Sequence, residues 1–596
     1  MNPFYYGTED PLPEARPLRA GPLSMLLEDG GLRHVRWGDR EVLRRVYAAV
    51  RDRNWDTVPA VISGLEVQAG AASFKASFVA DCRRGEIDFR WRGAIEGSPD
   101  GSVTFVMEGE ARSTFLRNRI GLCVLHPIRE CAGKPCVVEH ANGAFTRKEF
   151  PRYVWPHPPF KSVRAISHEV APGLRATVRL EGDVFEMEDQ RNWTDASFKT
   201  YSTPLEIPFP VELPQGSTMR QSVRLSLERN LPPPPAAATG PVDFALEKPV
   251  PLPRIGLGAA FGPPLSPEET GLLRALAPSH LRVDLKGPPG SWKEAFSRSC
   301  GDARALGAAL ELAVHLREGT PELAALGELL AAERPAVDRI LLFPPGETLA
   351  AARWIREAKA KLSPIVGGTR IGGGTDATFA ELNRRGHPPE LDVLAYSVNP
   401  QVHAGDVTTL VENLEGQGYT VESGRLLPGE RPIAVTPVTF LPRFTPNATG
   451  PGAPEADPRQ RSLFGAGWTA GSLKYLSEAG AASVTYFDAR GVLGAPLYHV
   501  LADAGAFAGG QVVRSRSSDP LRVDGVAFRK GGRTLAIVAN FRPEPVSVRI
   551  RGIGSRATVS LLDENHPEPS APEPRATSMG RLEIEIAPCG LARIEG

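Results

Sequence analysis

Asp392-Val-Leu-Ala-Tyr-Ser-Val-Asn-Pro-Gln-Val-His-Ala-Gly-Asp406 is the stretch on which the reading of the fold turns. Its first half, Val393 to Val398, is a short and mostly apolar run, the composition of a strand buried on both faces in a parallel sheet. Its second half abruptly presents Asn399, Gln401 and His403. In a (β/α)8 barrel the interior is packed and the site lies at the C-terminal rim, so a polar burst after an apolar strand marks a rim. Taken by itself, the same stretch also reads as a solvated loop turning at Pro400.

Working outward, apolar strands alternate with amphipathic helices. The runs are Arg254 to Phe261, Leu281 to Leu285, Leu310 to Leu316, Arg339 to Phe343, Pro364 to Val366, Val393 to Val398, Pro432 to Val438 and Ser483 to Phe487. Thr320-Pro321 and Asp457-Pro458 place a capping side chain before a proline at the first helical position. Strand-helix repetition with short connections predicts a parallel sheet, and this count predicts closure into a (β/α)8 TIM barrel over residues 251–510.

Upstream the period is two. Ile87, Phe89 and Trp91 alternate with charged neighbours, and Val103, Phe105 and Met107 repeat the spacing. Turns at Glu28-Asp-Gly-Gly31 and Ser98-Pro-Asp-Gly101 predict hairpins, so residues 1–230 read as a large antiparallel β-sandwich, supersandwich-like in size. Leu231-Pro-Pro-Pro-Pro235 opens a Pro-rich linker expected over 231–250. Alternation returns in Val526-Ala-Phe528, Leu535 to Phe541, Val546 to Ile550 and Leu582 to Ile586, which predicts a small C-terminal β-sandwich over 511–596.

Lys plus Arg equal Asp plus Glu, 69 each. That balance removes the electrostatic case for nucleic acid or an anionic membrane, and favours a neutral small molecule. No stretch approaches the roughly 18 to 20 apolar residues of a membrane helix. The start, with acids and prolines, lacks the basic and apolar pattern of a secretory signal, so the expectation is cytoplasmic. Six dispersed cysteines make no disulfide lattice, and Cys131 with Cys136 make no metal knuckle. No cofactor is expected and no metal ligands are assigned, while the need for a metal and the oligomeric state are left open.

There is no G-x-S-x-G elbow, no H-E-x-x-H and no Walker loop. Gly367-Gly-Thr-Arg-Ile-Gly-Gly-Gly374 lacks dinucleotide spacing and reads as a turn bringing backbone close to a ligand. Polar residues end nearly every strand: Arg282 and Asp284, His315 and Arg317, Glu347, Arg370 and Asp376, then Asn399, Gln401 and His403, Arg443 and Asn447, and Tyr486-Phe-Asp488. Glu347, Asp488 and His403 are the catalytic candidates, because carboxylates and imidazoles activate water or protonate a leaving oxygen. Asp284, His315, Asn399, Gln401, Arg443, Asn447 and Tyr486 are the candidates for holding substrate. A glycoside hydrolase also fits this list, although the strand-seven end, Thr436-Pro-Val-Thr439, offers no carboxylate nucleophile.

One segment of the sandwich stands apart: Glu186-Met-Glu-Asp-Gln-Arg-Asn-Trp-Thr-Asp-Ala-Ser-Phe-Lys-Thr-Tyr201. Its acids, amides and aromatics suit either hydroxyl recognition or a domain-docking network. Together with Ser397-Val-Asn-Pro-Gln-Val-His403, Pro442-Arg-Phe-Thr-Pro-Asn-Ala-Thr-Gly-Pro451 and Ser462-Leu-Phe-Gly-Ala-Gly-Trp-Thr-Ala-Gly-Ser-Leu-Lys-Tyr475, it resembles the D-apionate lactonase family. The resemblance extends over all three expected domains. It implies a hydrolase of bacterial apiose catabolism that opens D-apionolactone to D-apionate, with the sugar lactone as its partner. The alternative is a TIM-barrel glycoside hydrolase acting on apiose-containing or related glycans.

Overall fold

The structure, a computed structural model, describes residues 2–229, 240–317, 319–344, 349–442, 456–578 and 580–596. Residues 16 to 229 form a 17-stranded antiparallel arrangement, the expected sandwich. Strict alternation drives it: Ile87–Gly97 and Val103–Ala111 pair side by side, and every second residue of Ile87–Gly97 is buried. Phe78, Trp91 and Phe105 meet in its core with ring centroids 5.2 and 6.4 Å apart. Gly109 is small because the Phe89 ring lies where a β-carbon would sit, 2.3 Å away.

Eight parallel strands close the barrel. They are β1 (Arg254–Gly258), β2 (His280–Leu285), β3 (Ala309–His315), β4 (Val337–Phe343), β5 (Arg370–Gly374), β6 (Leu394–Val398), β7 (Ile433–Val438) and β8 (Ser483–Asp488). Seven strands fall where the apolar runs place them, and β5 does not. Residues 364 to 366 are the last turn of helix Ala352–Val366, and the glycine-rich stretch read as a turn is itself the strand. The reason is close packing against β6: a β-carbon on Gly372 would lie 2.2 Å from Val393 Cγ1, and one on Gly374 would lie 2.1 Å from the Ala395 carbonyl oxygen. Glycine inside a strand marks such an approach. Arg370, expected beyond the strand end, therefore opens β5 and is exposed at the opposite face of the barrel.

The chain also visits the C-terminal domain before it enters the barrel. Val242–Pro251, expected within the linker, is a strand of the nine-stranded C-terminal sheet. It runs antiparallel to Gln511–Ser517 and parallel to Val546–Arg551, because Val242 and Phe244 bury into the core that Val548 and Ile550 build. Of the two expected caps, Asp457 accepts from Arg459 N at 3.0 Å, but it caps a short 3-10 turn. Ser462 caps the long helix Leu463–Glu478 instead, and the Thr320 hydroxyl bonds Glu357 rather than its own helix. Among the described residues, no helix is long and apolar enough to cross a membrane.

Candidate functional site

Barrel interiors are usually filled by branched aliphatic side chains. This one carries a column of charge. On β2, alternation turns His280, Arg282 and Asp284 inward, and on β3 it turns Glu311 and His315 inward. Glu311, fully buried, has Arg339 Nε 2.9 Å from its Oε2 and accepts from the Thr436 hydroxyl on β7. His280 Nε2 reaches Thr485 Oγ1 on β8 at 2.8 Å, and burial pushes the imidazole down to about 4, so it is neutral. Above them, the buried Arg282 donates through Nη1 to the Thr436 carbonyl at 2.9 Å. Its Nη2 donates to Asp284 Oδ1 at 2.9 Å and to Asp376 Oδ1 at 2.8 Å. Burial alone would lower this guanidinium, but Asp284, Asp376 and Glu311 outweigh it and hold the charge on.

At the mouth, His315 Nε2 lies 3.6 Å from Asp376 Oδ2 and 4.0 Å from Asp284 Oδ1. That nitrogen is buried and makes no hydrogen bond among the described residues, while the ring packs against Phe343 at 5.2 Å. Burial first, and Lys286 second, push His315 down to about 4. Lys286, half-exposed, brings its Nζ to 3.6 Å from Asp376 Oδ2. Asp284, His315 and Asp376 offer donor atoms within 4.8 Å of one another, a spacing that could hold a divalent ion. Arg282 and Lys286 already supply positive charge at that point.

The other expected residues separate into groups. Glu347, Arg443 and Asn447 lie outside the described residues. Asp488 ends β8, but its Oδ1 accepts from Gly491 N at 2.8 Å and so fastens the following turn. Tyr486 does not reach the mouth. Ser483 and Thr485 face the lumen, so alternation sends Tyr486 outward, where its hydroxyl meets Ser472 at 2.9 Å in the helix layer. Gln401 is consumed in loop fastening: its Nε2 donates to the Phe440 carbonyl and Asp457 Oδ2, and its Oε1 accepts from Arg459. Asn399 is buried, and its carbonyl accepts from the Thr194 hydroxyl of the sandwich at 2.9 Å.

His403 belongs to a second place. Its Nδ1 lies 2.7 Å from Asp195 Oδ2, and its ring stands edge-on to Trp193 at 5.4 Å. The hairpin from Phe185 to Tyr201 thus docks the sandwich on the loop after β6. It also packs on the helix Leu414–Gly424, so closely that a β-carbon on Gly416 would lie 2.3 Å from the Thr194 carbonyl oxygen. Sequence reasoning missed Lys286, Glu311, Thr436 and the Asp195 partner of His403. The first two were within reach, because two-residue alternation carries inward from Asp284 to Lys286 and from His315 back to Glu311.

A closed parallel barrel with ionisable groups gathered at its C-terminal mouth, between two β-sandwiches in the chain, is the architecture of barrel enzymes, a class that carries its chemistry on the strand ends. The family comparisons agree domain by domain. Models described as the N-terminal, TIM-barrel and C-terminal immunoglobulin-like domains of D-apionate lactonase match residues 3–230, 259–514 and 520–594. A D-apionate lactonase from Brucella anthropi is 33% identical over 477 residues, 75% of this chain and 76% of its own length. The chain belongs to the D-apionate lactonase family and is a hydrolase. Among solved structures, a GH30 endoxylanase from Clostridium papyrosolvens C71 is similar over 60% of this chain and all of its own, at 13% identity and a TM-score of 0.40. A beta-arabinopyranosidase is similar over 99% of each chain, at 10% identity and a TM-score of 0.35.

Proposed function

We propose that the protein hydrolyses a sugar lactone at the barrel mouth, opening D-apionolactone to D-apionate in the cytoplasm. The observation that carries this reading is the neutral His315, whose Nε2 has no hydrogen-bond partner among the described residues and faces two carboxylates beside Lys286. In the tautomer with its proton on Nδ1, the imidazole presents a lone pair to a water molecule. Water attacks the lactone carbonyl and gives its proton to His315 Nε2. Asp284 and Asp376 stabilise the imidazolium as it forms, and the Lys286 ammonium faces the oxyanion. When the tetrahedral intermediate collapses, the ring oxygen leaves with the proton from His315, and the new carboxylic acid releases one proton to solvent. Arg282 fixes the two carboxylates, and in this reading Asp284 also accepts from a substrate hydroxyl.

A pH-stat tests it. Steady base uptake with D-apionolactone above the spontaneous rate is expected. Aglycone release from chromogenic apiosides, with no lactone turnover, would replace this reading by a glycosidase.

A further inference from the structure

We propose that the cleft between the N-terminal sandwich and the loop after β6 is a second binding site, one for a neutral sugar ring. The cleft holds ≈ 670 Å³. That is within the range of small-molecule sites, about 300 to 1,000 Å³. The sandwich supplies Tyr47 and Trp55 to its lining, and the barrel loop supplies His403. Tyr47 and Trp55 bring aromatic rings to that lining, each with one guanidinium already over it, Arg45 4.9 Å from the Tyr47 centroid and Arg119 5.6 Å from that of Trp55, and the C–H side of a sugar packs on such rings.

The polar half of the site is built as well as lined. Gln190, 2% exposed, lines the cleft and spends its Oε1 on the Ser197 hydroxyl at 2.7 Å. Its Nε2 is buried and makes no hydrogen bond among the described residues. A buried amide left without a partner costs about 1 to 3 kcal/mol, so a ligand oxygen taking that bond would relieve it. His403 is oriented from two sides, by Asp195 through Nδ1 and by the Trp193 edge. Asp195 is itself held through its other oxygen by Asn413 Nδ2 at 3.1 Å. An imidazole fixed in this manner offers one nitrogen in a set direction, which is what hydroxyl recognition needs.

Charge decides the ligand class. The guanidinia around the cleft are engaged by protein groups: Arg45 lies 3.8 Å from Asp406, Arg84 3.8 Å from Asp56, and Arg51 donates to the Trp55 carbonyl at 2.9 Å. A sugar acid would have to compete for those cations, whereas a neutral polyol meets donors, acceptors and aromatic faces. The cleft therefore favours the sugar or its glycoside over the carboxylate product of the mouth.

The probes are methyl β-D-xylopyranoside as a neutral ring and sodium gluconate as an acid, titrated calorimetrically into the full chain. Saturable millimolar binding of the xyloside is expected in the wild type and in Asp376→Asn, whose change lies at the mouth. Binding weaker by about tenfold or more is expected in Trp55→Ala and in His403→Gln. His403→Gln keeps the test decisive if Trp55→Ala fails to fold. The proposal is overturned if the wild type shows no saturable binding, if both cleft variants bind as well as the wild type, if Asp376→Asn alone abolishes binding, or if gluconate binds more tightly than the xyloside.

Discussion

Two histidines, each beside two carboxylates, stand at the end of β3 and in the loop after β6, and they are wired differently. His403 spends Nδ1 on Asp195 at 2.7 Å and has Glu188 Oε1 3.8 Å from Nε2. His315 stands 3.6 and 4.0 Å from its acids, whose nearer claim is on Arg282. A short bond to a carboxylate fixes a ring, whereas a desolvated ring with no hydrogen bond to its Nε2 among the described residues stays neutral and keeps a nitrogen lone pair open. The difference teaches that the residue pair does not set the role. What else binds the carboxylates does.

The largest expected effect breaks the comparison on the mouth side. His315→Ala should lower kcat on lactone by roughly 10²- to 10⁴-fold, the usual contribution of a general base, with KM little changed. Steady-state pH-stat rates with circular dichroism check it, and a variant retaining full kcat would remove His315 from the chemistry. Next comes Lys286→Met. Loss of one oxyanion donor costs about 10²-fold or more where the donor is enclosed, and Lys286 is half-exposed, so a loss at or below that is expected. Lys286→Arg should recover part of it, and equal loss in both variants would argue for geometry over charge.

Much of this was legible in the chain. Alternation exposes the sandwich, apolar runs expose seven barrel strands, and the polar burst after Val398 exposes a rim. β5 escaped because Arg370-Ile-Gly-Gly-Gly374 lacks the β-branched bulk that marks a strand; its glycines answer to Val393 and Ala395, neighbours distant in sequence. Tyr486 was misread because listing strand ends ignores parity, and parity points it at Ser472. Asp195 could not be paired with His403 by inspection, since 208 residues separate them. The mouth was legible as a set of residue types, but the Arg282 clamp that ranks them is a tertiary fact.

A smaller effect, graded with pH, sharpens the comparison. His315 must be neutral to accept a proton, so the acid limb of kcat/KM should bend near pH 4 and fall about tenfold per unit below it. A limb bending near 6.5 would mean that another imidazole is the base. The rate must be read while the protein is folded. Burial holds His126 down to about 3 and His168 to about 4 in the sandwich. Unfolded, each titrates near 6.5 and binds the extra proton, so their contribution is complete above that pH. It is lost as pH falls from 6.5 toward the folded values, at about 1.4 kcal/mol per unit for each. Initial rates from brief exposure to acid, beside a denaturation curve at each pH, separate the two effects.

The smallest expected effect is none, and it concerns the ion that the mouth could hold. Asp284, His315 and Asp376 have the donor types and spacing for a divalent cation. Yet each carboxylate already has Arg282 Nη2 within 2.9 Å, and Lys286 stands 3.6 Å from Asp376. A cation entering there would meet two positive groups, one of them buried and pinned through Nη1 to the Thr436 carbonyl, which cannot swing away without abandoning that bond. Dialysis against EDTA should therefore leave lactone turnover at its starting value, and added Mn²⁺ or Zn²⁺ should not raise it. Loss of turnover on dialysis, restored by one metal and absent in Asp376→Asn, would transfer the electrophile's role from Lys286 to an ion. It would also turn His315 Nε2 from a base into a ligand.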